Sequence, residues 1–354
     1  MARACDISQL IFVIGFPRSG TTWFSNLINS HPNTIYRHEV FGRQYGSFGE
    51  QLFRRLKFAG GLSDEDYRVA LGVLRKAYVA TDRPPFFRKR YRSRTPAAVQ
   101  KLVWLVANAS PAFAPLYTHL FTPPRGSQAT LVIKETRSSI NLDSIIKGVR
   151  ADKVVVLIRH PYAVIASHVV GHSRGTLQPT TAAFRRSWLE HHAGCAYVMR
   201  LGLTEEAVTA LDEAEFLAIW WRVQNENYLN MRSVGNDSKV VLYDEFLRDP
   251  VRNIEALLGF LSLDFDVQVR RFVLQSTSSG MRSGVLERDA SSDYYSVYRG
   301  KEFDPNRWRS VLTAGQRESI DRHTFALVDV LGLNRWIEEA PAHQERAIGG
   351  MRRT

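Results

Sequence analysis

Cysteine is scarce in this sequence: the 354 residues include only two, Cys5 and Cys195. Two thiols so far apart in the chain exclude a disulfide framework and a cysteine-rich zinc site, and they are typical of a reducing compartment. Long apolar runs are also missing, because no segment reaches the ~18 residues that a membrane-spanning helix requires. The apolar stretch near the N-terminus, Leu10 to Ile14, is too short for a secretory signal peptide. The sequence therefore predicts a cytoplasmic protein with no membrane span.

Acidic residues are outnumbered, with 35 Asp and Glu against 47 Lys and Arg and a formal net charge of +12. Such a surplus suits an anionic ligand, a nucleic acid or a membrane surface, and it does not specify a fold. Residues 83–94 concentrate six of the cations among aromatic residues. This stretch is either an ordinary solvated loop or a contact for RNA, an acidic glycan or lipid headgroups.

Short apolar runs recur along the chain and alternate with segments of helical periodicity. The runs are Leu10–Ile14, Thr130–Ile133, Val154–Ile158 and Lys239–Tyr243. The helical patterns cover residues 21–30, 140–149, 162–170, 181–200 and 213–230. This alternation predicts an α/β fold, a three-layer α/β/α sandwich with a central parallel sheet that binds its ligand at the carboxyl ends of the strands. We expect one domain over residues 1–340, a mainly helical insertion at about residues 48–125, and a polar tail at residues 341–354.

The segment Gly15–Thr22 resembles a P-loop, because it follows an apolar strand and ends in hydroxyl residues that begin a helix. The backbone N–H groups of such a loop, together with the helix N-terminus, bind phosphate oxygens. Thr21 stands where a nucleotide triphosphatase carries its Walker lysine, and the long cation lies inside the loop at Arg18. The pattern therefore points away from ATP and towards a nucleotide with a shorter 5′ group.

The same segment resembles the 5′-phosphosulfate loop of the sulfotransferase family that uses 3′-phosphoadenosine-5′-phosphosulfate (PAPS). Arginine at the cationic position is similar to carbohydrate, tyrosylprotein and bacterial members of that family. The resemblance implies the P-loop-like sulfotransferase fold, PAPS as co-substrate, 3′-phosphoadenosine-5′-phosphate (PAP) as product, and no requirement for a metal. It also implies that the loop residues bind the co-substrate: Pro17, Arg18, Ser19, Gly20, Thr21, Thr22 and Trp23.

A second block follows the run Val154–Ile158. Arg159 and Ser167, eight positions apart, resemble the family motif that binds the 3′-phosphate, and arginine suits this role because its planar group holds phosphate through two hydrogen bonds. The chain departs from the motif at His160, where the family usually has Asp or Asn, and we expect that change to be tolerated. Two weaker similarities imply further nucleotide contacts, from Tyr243 after a late strand and from Arg299 and Gly300 in a C-terminal loop.

Sulfuryl transfer needs a general base for the acceptor proton and cations near the transferred group. Glu39 resembles the base of several arginine-type members, and its neighbour His38 and the more distant Glu135 are the alternatives. Arg18 and Lys134 are expected at the transferred group, and Arg137 is a further candidate for that group or for an anionic acceptor.

The function that we expect is sulfuryl transfer from PAPS to a hydroxyl, or less favourably an amine, of a small-molecule or glycan acceptor. The alternatives are a P-loop nucleotide kinase and a basic nucleic-acid-binding protein. Neither is preferred, because the kinase needs a Walker lysine and the nucleic-acid-binding protein leaves both phosphate motifs unexplained. The pair His168 and His172 lacks a third metal ligand. Neither the acceptor nor the oligomeric state is readable.

Overall fold

The four apolar runs, together with a further strand at Thr34–His38, form a five-stranded parallel sheet. The computed structural model describes residues 7–41, 63–92, 94–136, 146–230, 237–277 and 306–335. The strands in chain order are β1 Ile7–Gly15, β2 Thr34–His38, β3 Ala129–Glu135, β4 Lys153–Ile158 and β5 Asp237–Leu242. Their spatial order is β2-β3-β1-β4-β5, and every neighbouring pair is parallel. The predicted α/β sandwich is therefore confirmed.

Helices connect the strands and cover both faces of the sheet. The first group is α1 Thr21–Asn29, α2 Asp64–Arg75, α3 Ala97–Ala109, α4 Ala114–Phe121 and α5 Pro161–Ser173. The second group is α6 Ala182–His192, α7 Ala196–Leu201, α8 Glu205–Ala210, α9 Glu213–Asn230 and α10 Tyr243–Phe246. The last group is α11 Pro250–Phe260, α12 Val267–Thr277, α13 Trp308–Val311 and α14 Ala314–Val330. Single 3-10 turns lie at Arg90–Arg92 and Pro111–Phe113.

Two apolar cores lie on the opposite faces of the sheet, because successive side chains of a strand point to opposite sides. One core joins strand residues such as Val13 and Val132 to α1, α10, α11 and α12, and we call this side the α1 face. The other core joins strand residues such as Phe12 and Ile133 to α2, α9 and α14, and we call this side the α9 face.

The register brings all five carboxyl ends to one edge of the sheet. His38 lies opposite Lys134, and Glu135 opposite Ile14. Gly15 lies opposite Leu157, one residue before the end of β4. The loops that follow the strands therefore converge at this edge, which is where parallel α/β sheets bind ligands.

The prediction of one helix over residues 181–200 was wrong in its continuity. The segment forms α6 and α7, separated by a short turn that contains Gly194. Glycine costs about 1 kcal/mol in a helix interior relative to alanine, so the break falls where helix propensity is weakest. Within the described ranges, no helix combines the length and the apolar character that crossing a bilayer would require.

Candidate functional site

The phosphate loop turns sharply between β1 and α1. Ser19 N–H donates to Phe16 O at 3.0 Å, and two loop residues have left-handed backbone, Arg18 with φ 71° and Gly20 with φ 86°. Gly20 is the N-cap of α1 and supplies no side-chain cap, and the first turn of the helix has no acidic residue. The partial positive charge of this helix end is therefore directed at the loop without a protein anion to neutralise it.

Close contacts require glycine at both ends of the loop, at Gly15 and at Gly20, and the left-handed backbone adds to the requirement at Gly20. A Cβ on Gly20 would lie 2.2 Å from Cε2 of Tyr243, and a Cβ on Gly15 would lie 2.7 Å from Leu157 O and from Cγ2 of Thr21. Real Cβ contacts do not approach this closely, so any larger residue would push the loop away from β4 and α10. Because neither glycine has a side chain, the loop can pack closely against β4 and α10.

Arg159, which follows β4, lies against the phosphate loop. Its Nη1 donates to Arg18 O at 3.3 Å, and its guanidinium carbon lies 4.8 Å from the centre of the Tyr243 ring. The indole Nε1 of Trp221 donates to Arg159 O at 3.2 Å. Trp221 is a fully buried core residue, and this hydrogen bond also fixes the backbone of Arg159.

Ser167 joins the two phosphate motifs through a side-chain contact. Nε of Arg18 donates to Ser167 Oγ at 3.1 Å. Ser167 lies on α5, whose N-cap is His160, and Nδ1 of His160 accepts from Tyr162 N–H at 3.2 Å. Burial lowers the pKa of His160 to about 3, which keeps its ring neutral and able to accept. His160 thus acts as the N-cap acceptor of α5, a role for which Asp and Asn are generally favoured.

The polar atoms of this part of the site fit an anionic ligand. Among the described residues, Ser19 Oγ and Arg159 Nε are buried and have no hydrogen-bond partner. Both can donate, and the surrounding loop adds backbone N–H groups and the cation Arg18. Buried donors are normally satisfied, so these two are best explained by an acceptor-rich ligand such as phosphate.

Trp23 has a different position from the rest of its motif. Its indole is buried on the α1 face, where Nε1 donates to Ser276 Oγ at 3.1 Å and the ring packs edge-on against Tyr243 and Phe246. Trp23 therefore belongs to the core that packs against the loop on the α1 face, and so does the buried Tyr243. Thr21 is buried and Thr22 is half-buried at the start of α1, and Pro17 is half-buried in the loop.

Glu39 and Lys134 form an ion pair at the carboxyl ends of β2 and β3. Lys134 Nζ lies 2.5 Å from Glu39 Oε1, and Thr136 Oγ1 donates to the same oxygen at 3.0 Å. Nε2 of His38 lies 3.7 Å from that oxygen. Glu39 has left-handed backbone with φ 49°, and its N–H donates to Lys134 O at 2.7 Å. Thr136 was missed by the sequence analysis, although it directly follows the Lys134-Glu135 pair.

Opposing influences set the proton affinity of Glu39. Burial raises its pKa, but the charges of Lys134 and His38 and the hydrogen bonds from Lys134 and Thr136 outweigh burial and lower the pKa to about 2. Glu39 is therefore ionised at neutral pH, and its pairing with Lys134 lowers its proton affinity in this arrangement.

Glu135 lies on the other side of the sheet. It follows Ile133 in the alternation of β3 and so faces the α9 side, whereas Lys134 faces the α1 side. Its carboxylate accepts from the backbone N–H of Thr136 at 2.9 Å and of Phe41 at 3.3 Å, and only 1% of the residue is exposed. Of the two carboxylates, only Glu39 lies on the α1 face. This is the side of the sheet that carries α1, the helix that follows the phosphate loop.

Three predicted site residues cannot be placed: Arg137, Arg299 and Gly300 lie outside the described residues. His168, next to Ser167, is buried beside the phosphate loop, and burial followed by the charges of Arg18 and His172 lowers its pKa to about 3. No three His, Cys, Asp or Glu side chains meet in a metal-binding arrangement in the part of the chain that is described.

Comparison with known proteins identifies one matching family model and several similar solved structures. A model described as "Sulfotransferase family" matches residues 10–267. A search of curated protein sequences finds no match. A mouse sulfotransferase complexed with PAP is 14% identical over 93% of this chain and 90% of its own, with a TM-score of 0.48. The sulfotransferase domain of an olefin synthase from Synechococcus PCC 7002 is 22% identical over 90% of this chain and 95% of its own, with a TM-score of 0.41.

Proposed function

This chain belongs to the sulfotransferase family, and we propose that it transfers a sulfuryl group from PAPS to an acceptor hydroxyl. An amine is a less favoured acceptor, and among hydroxyl compounds we favour a carbohydrate or another alcohol. The proposal rests on family membership and on the contacts of the two phosphate motifs.

One observation carries the choice of co-substrate: Arg18, Ser167 and Arg159 come together although 141 residues separate the two arginines. Arg18 contacts Ser167 at 3.1 Å, and Arg159 contacts the backbone of Arg18 at 3.3 Å. A cluster of two arginines, a serine and an uncapped helix N-terminus supports a nucleotide with anionic groups on both its 5′ and 3′ positions. PAPS has both groups, and ATP lacks the 3′-phosphate.

The strand order supports separate places for nucleotide and acceptor. Arg159 and Tyr243 follow β4 and β5 on one side of the phosphate loop, whereas Glu39 and Lys134 belong to β2 and β3 on the other. We therefore assign the β4–β5 side to the nucleotide and the β2–β3 side to the acceptor.

The proposed reaction is an in-line displacement at sulfur. The acceptor oxygen forms a bond to sulfur while the bond from sulfur to the 5′-phosphate oxygen breaks, and the acceptor proton passes to Glu39. Negative charge develops on the departing phosphate oxygen, where Arg18 and the loop N–H groups stabilise it. Lys134 is assigned to the sulfuryl oxygens, and no step requires a metal.

Thermal unfolding of the full chain tests the proposal, with PAP, adenosine 5′-monophosphate or ATP plus Mg²⁺ as separate ligands. A ligand at ~100 times its Kd stabilises the folded state by roughly 2.7 kcal/mol, which raises the Tm measurably. We expect the largest rise with PAP in the absence of metal. A rise only with ATP and Mg²⁺ would contradict the proposal and favour the kinase alternative.

A further inference from the structure

Exposed apolar side chains are concentrated on one helical hairpin. Among the described residues, fourteen large apolar side chains are exposed, and seven of them fall between residues 99 and 120. They lie on α3, on α4 and on the 3-10 turn between them, which pack against one another. We call the following set the hairpin face: Val99, Leu102, Leu105, Val106, Phe113, Leu116 and Leu120.

α3 exposes its apolar stripe, whereas an ordinary surface helix buries it. Its fully buried residues, Gln100 and Ala107, are seven positions apart and lie on the side towards the protein. Val99, Leu102 and Val106 follow the i, i+3, i+7 spacing of a single stripe, and this stripe points to solvent. An exposed apolar stripe on a helix that already has a buried side marks an interaction surface.

A buried polar network holds the hairpin in this orientation. Gln100 Nε2 donates to Tyr117 OH at 3.0 Å, and Tyr117 OH donates to Asp82 Oδ2 at 2.9 Å. Arg37 of β2 donates to the other oxygen of Asp82 at 2.7 Å. Because these groups are buried and mutually satisfied, rotating α3 to bury its apolar stripe would remove Gln100 from the network and break its hydrogen bond to Tyr117.

The chain around the hairpin carries charge of one sign. From Arg83 to Lys134 there are nine Lys and Arg residues and no Asp or Glu. Some of these cations have structural partners: Lys89 is buried and donates to carbonyl groups at the end of α1, and Arg90 pairs with Asp264. The exposed cations Arg88, Arg94 and Arg125 form no ion pair with any described residue.

We propose that the hairpin face docks on an anionic lipid surface. An apolar helix face enters the boundary between headgroups and acyl chains, and flanking cations add attraction to anionic headgroups, so the two features together give stable peripheral binding. A second copy of this chain fits less well, because a twofold contact through this face would bring the acid-free, positively charged flanks of both copies together. The docking is independent of sulfuryl transfer and is measured without turnover.

The experiment is co-sedimentation of the full chain with phosphatidylcholine vesicles and with equimolar phosphatidylcholine–phosphatidylglycerol vesicles. The variant L102Q/L105Q removes apolar contact from the solvent side of α3. V267Q/L274Q is its matched control, since those two side chains are also exposed and lie on α12. R94Q/R125Q tests the flanking charge, with R270Q/R271Q, on exposed positions of α12, as its control.

We expect binding to the anionic vesicles and little to the neutral ones. L102Q/L105Q and R94Q/R125Q should each lower the partition coefficient by roughly tenfold or more, with both controls close to the parent chain. Equal losses in the α12 controls would overturn the proposal, because they would show that binding is not specific to the hairpin face and its flanking cations. Absence of binding to the anionic vesicles would overturn it as well, and a dimer in sedimentation velocity that L102Q/L105Q dissociates would then assign the face to a second copy of the chain.

Discussion

The ring of Tyr243 occupies the space beside Gly20 that a side chain would need, with Cε2 2.2 Å from the ideal Cβ position. Gly126 has nearly the same backbone angle, φ 82° against 86°, but nothing lies within 4 Å of its ideal Cβ. The two glycines therefore differ in packing and not in conformational demand.

Alanine at these two positions separates the cost of the contact from the cost of the backbone angle. We expect Gly126→Ala to lower the free energy of unfolding by about 1–2 kcal/mol, the usual penalty for left-handed backbone. Gly20→Ala should cost a further 1–3 kcal/mol, roughly the cost of overpacking against the Tyr243 ring. Chemical denaturation measures both, and a double-mutant cycle isolates the contact, because Gly20→Ala should cost less in a Tyr243→Ala background than in the parent chain. Equal costs at both glycines would show that the ring has moved aside.

Ser167 and Arg159 are predicted to read the 3′-phosphate. Arg159→Ala should weaken PAP binding by roughly 10- to 100-fold, the usual loss for a charge-assisted contact, and should leave adenosine 5′-monophosphate binding nearly unchanged. Ser167→Ala should also reduce the preference for PAP over adenosine 5′-monophosphate, but by a smaller factor. Calorimetric titration with both nucleotides measures the ratio, and Arg270→Ala, on an exposed position of α12, is the control. Equal weakening of the two nucleotides would assign Arg159 to the 5′ end instead.

Glu39→Gln should lose turnover and keep PAP binding. Removing a general base commonly lowers the rate ~10²- to 10⁴-fold, and the amide keeps the size of the side chain. Glu135→Gln is the matched control, because it makes the same chemical change on the α9 face, at the end of the neighbouring strand β3. A sulfation assay across candidate acceptors, with labelled PAPS, measures turnover. Comparable activity in the two variants would remove Glu39 from the role of base.

His160 makes stability depend on pH. Its folded pKa of about 3 lies below the ordinary value of 6.5, so between these values the unfolded chain binds the additional proton and unfolding becomes easier as pH falls. His160→Asn keeps an N-cap acceptor and removes the titrating group. Between pH 6.5 and pH 5 its free energy of unfolding should therefore fall by roughly 2 kcal/mol less than that of the parent chain. Denaturation midpoints over this range test the expectation, with His119→Asn on the exposed side of α4 as control. Parallel curves for His160→Asn and the parent chain would contradict it.

Local patterns in the sequence were sufficient for four of the five strands and for recognition of the family. The runs at Leu10–Ile14 and Val154–Ile158 are buried on both faces and lie within β1 and β4. The family was recognised from Arg18, Arg159 and their neighbours because those residues must stand at fixed positions around a turn. The roles of Arg299 and Gly300 stay predictions, since both lie outside the described residues.

Contacts that depend on strand order could not be read from the chain. The ion pair of Lys134 with Glu39 needs β2 beside β3, and no local pattern specifies which strands are neighbours. The same holds for the side of β3 on which Glu135 lies. Helical periodicity indicated that residues near 100 form a helix, but it did not reveal that the apolar stripe of α3 would face solvent, because the buried network of Gln100 and Tyr117 decides the orientation.

The connection from β2 to β3 begins at Glu39 and ends at Gln128, and each of these two residues has left-handed backbone. β2 and β3 are neighbours, so the chain leaves the sheet after the first point and returns to the adjacent position at the second. The residues proposed to bind the nucleotide all lie outside this stretch. We therefore expect that exchanging this connection for the equivalent one of another family member would change acceptor choice more than nucleotide binding.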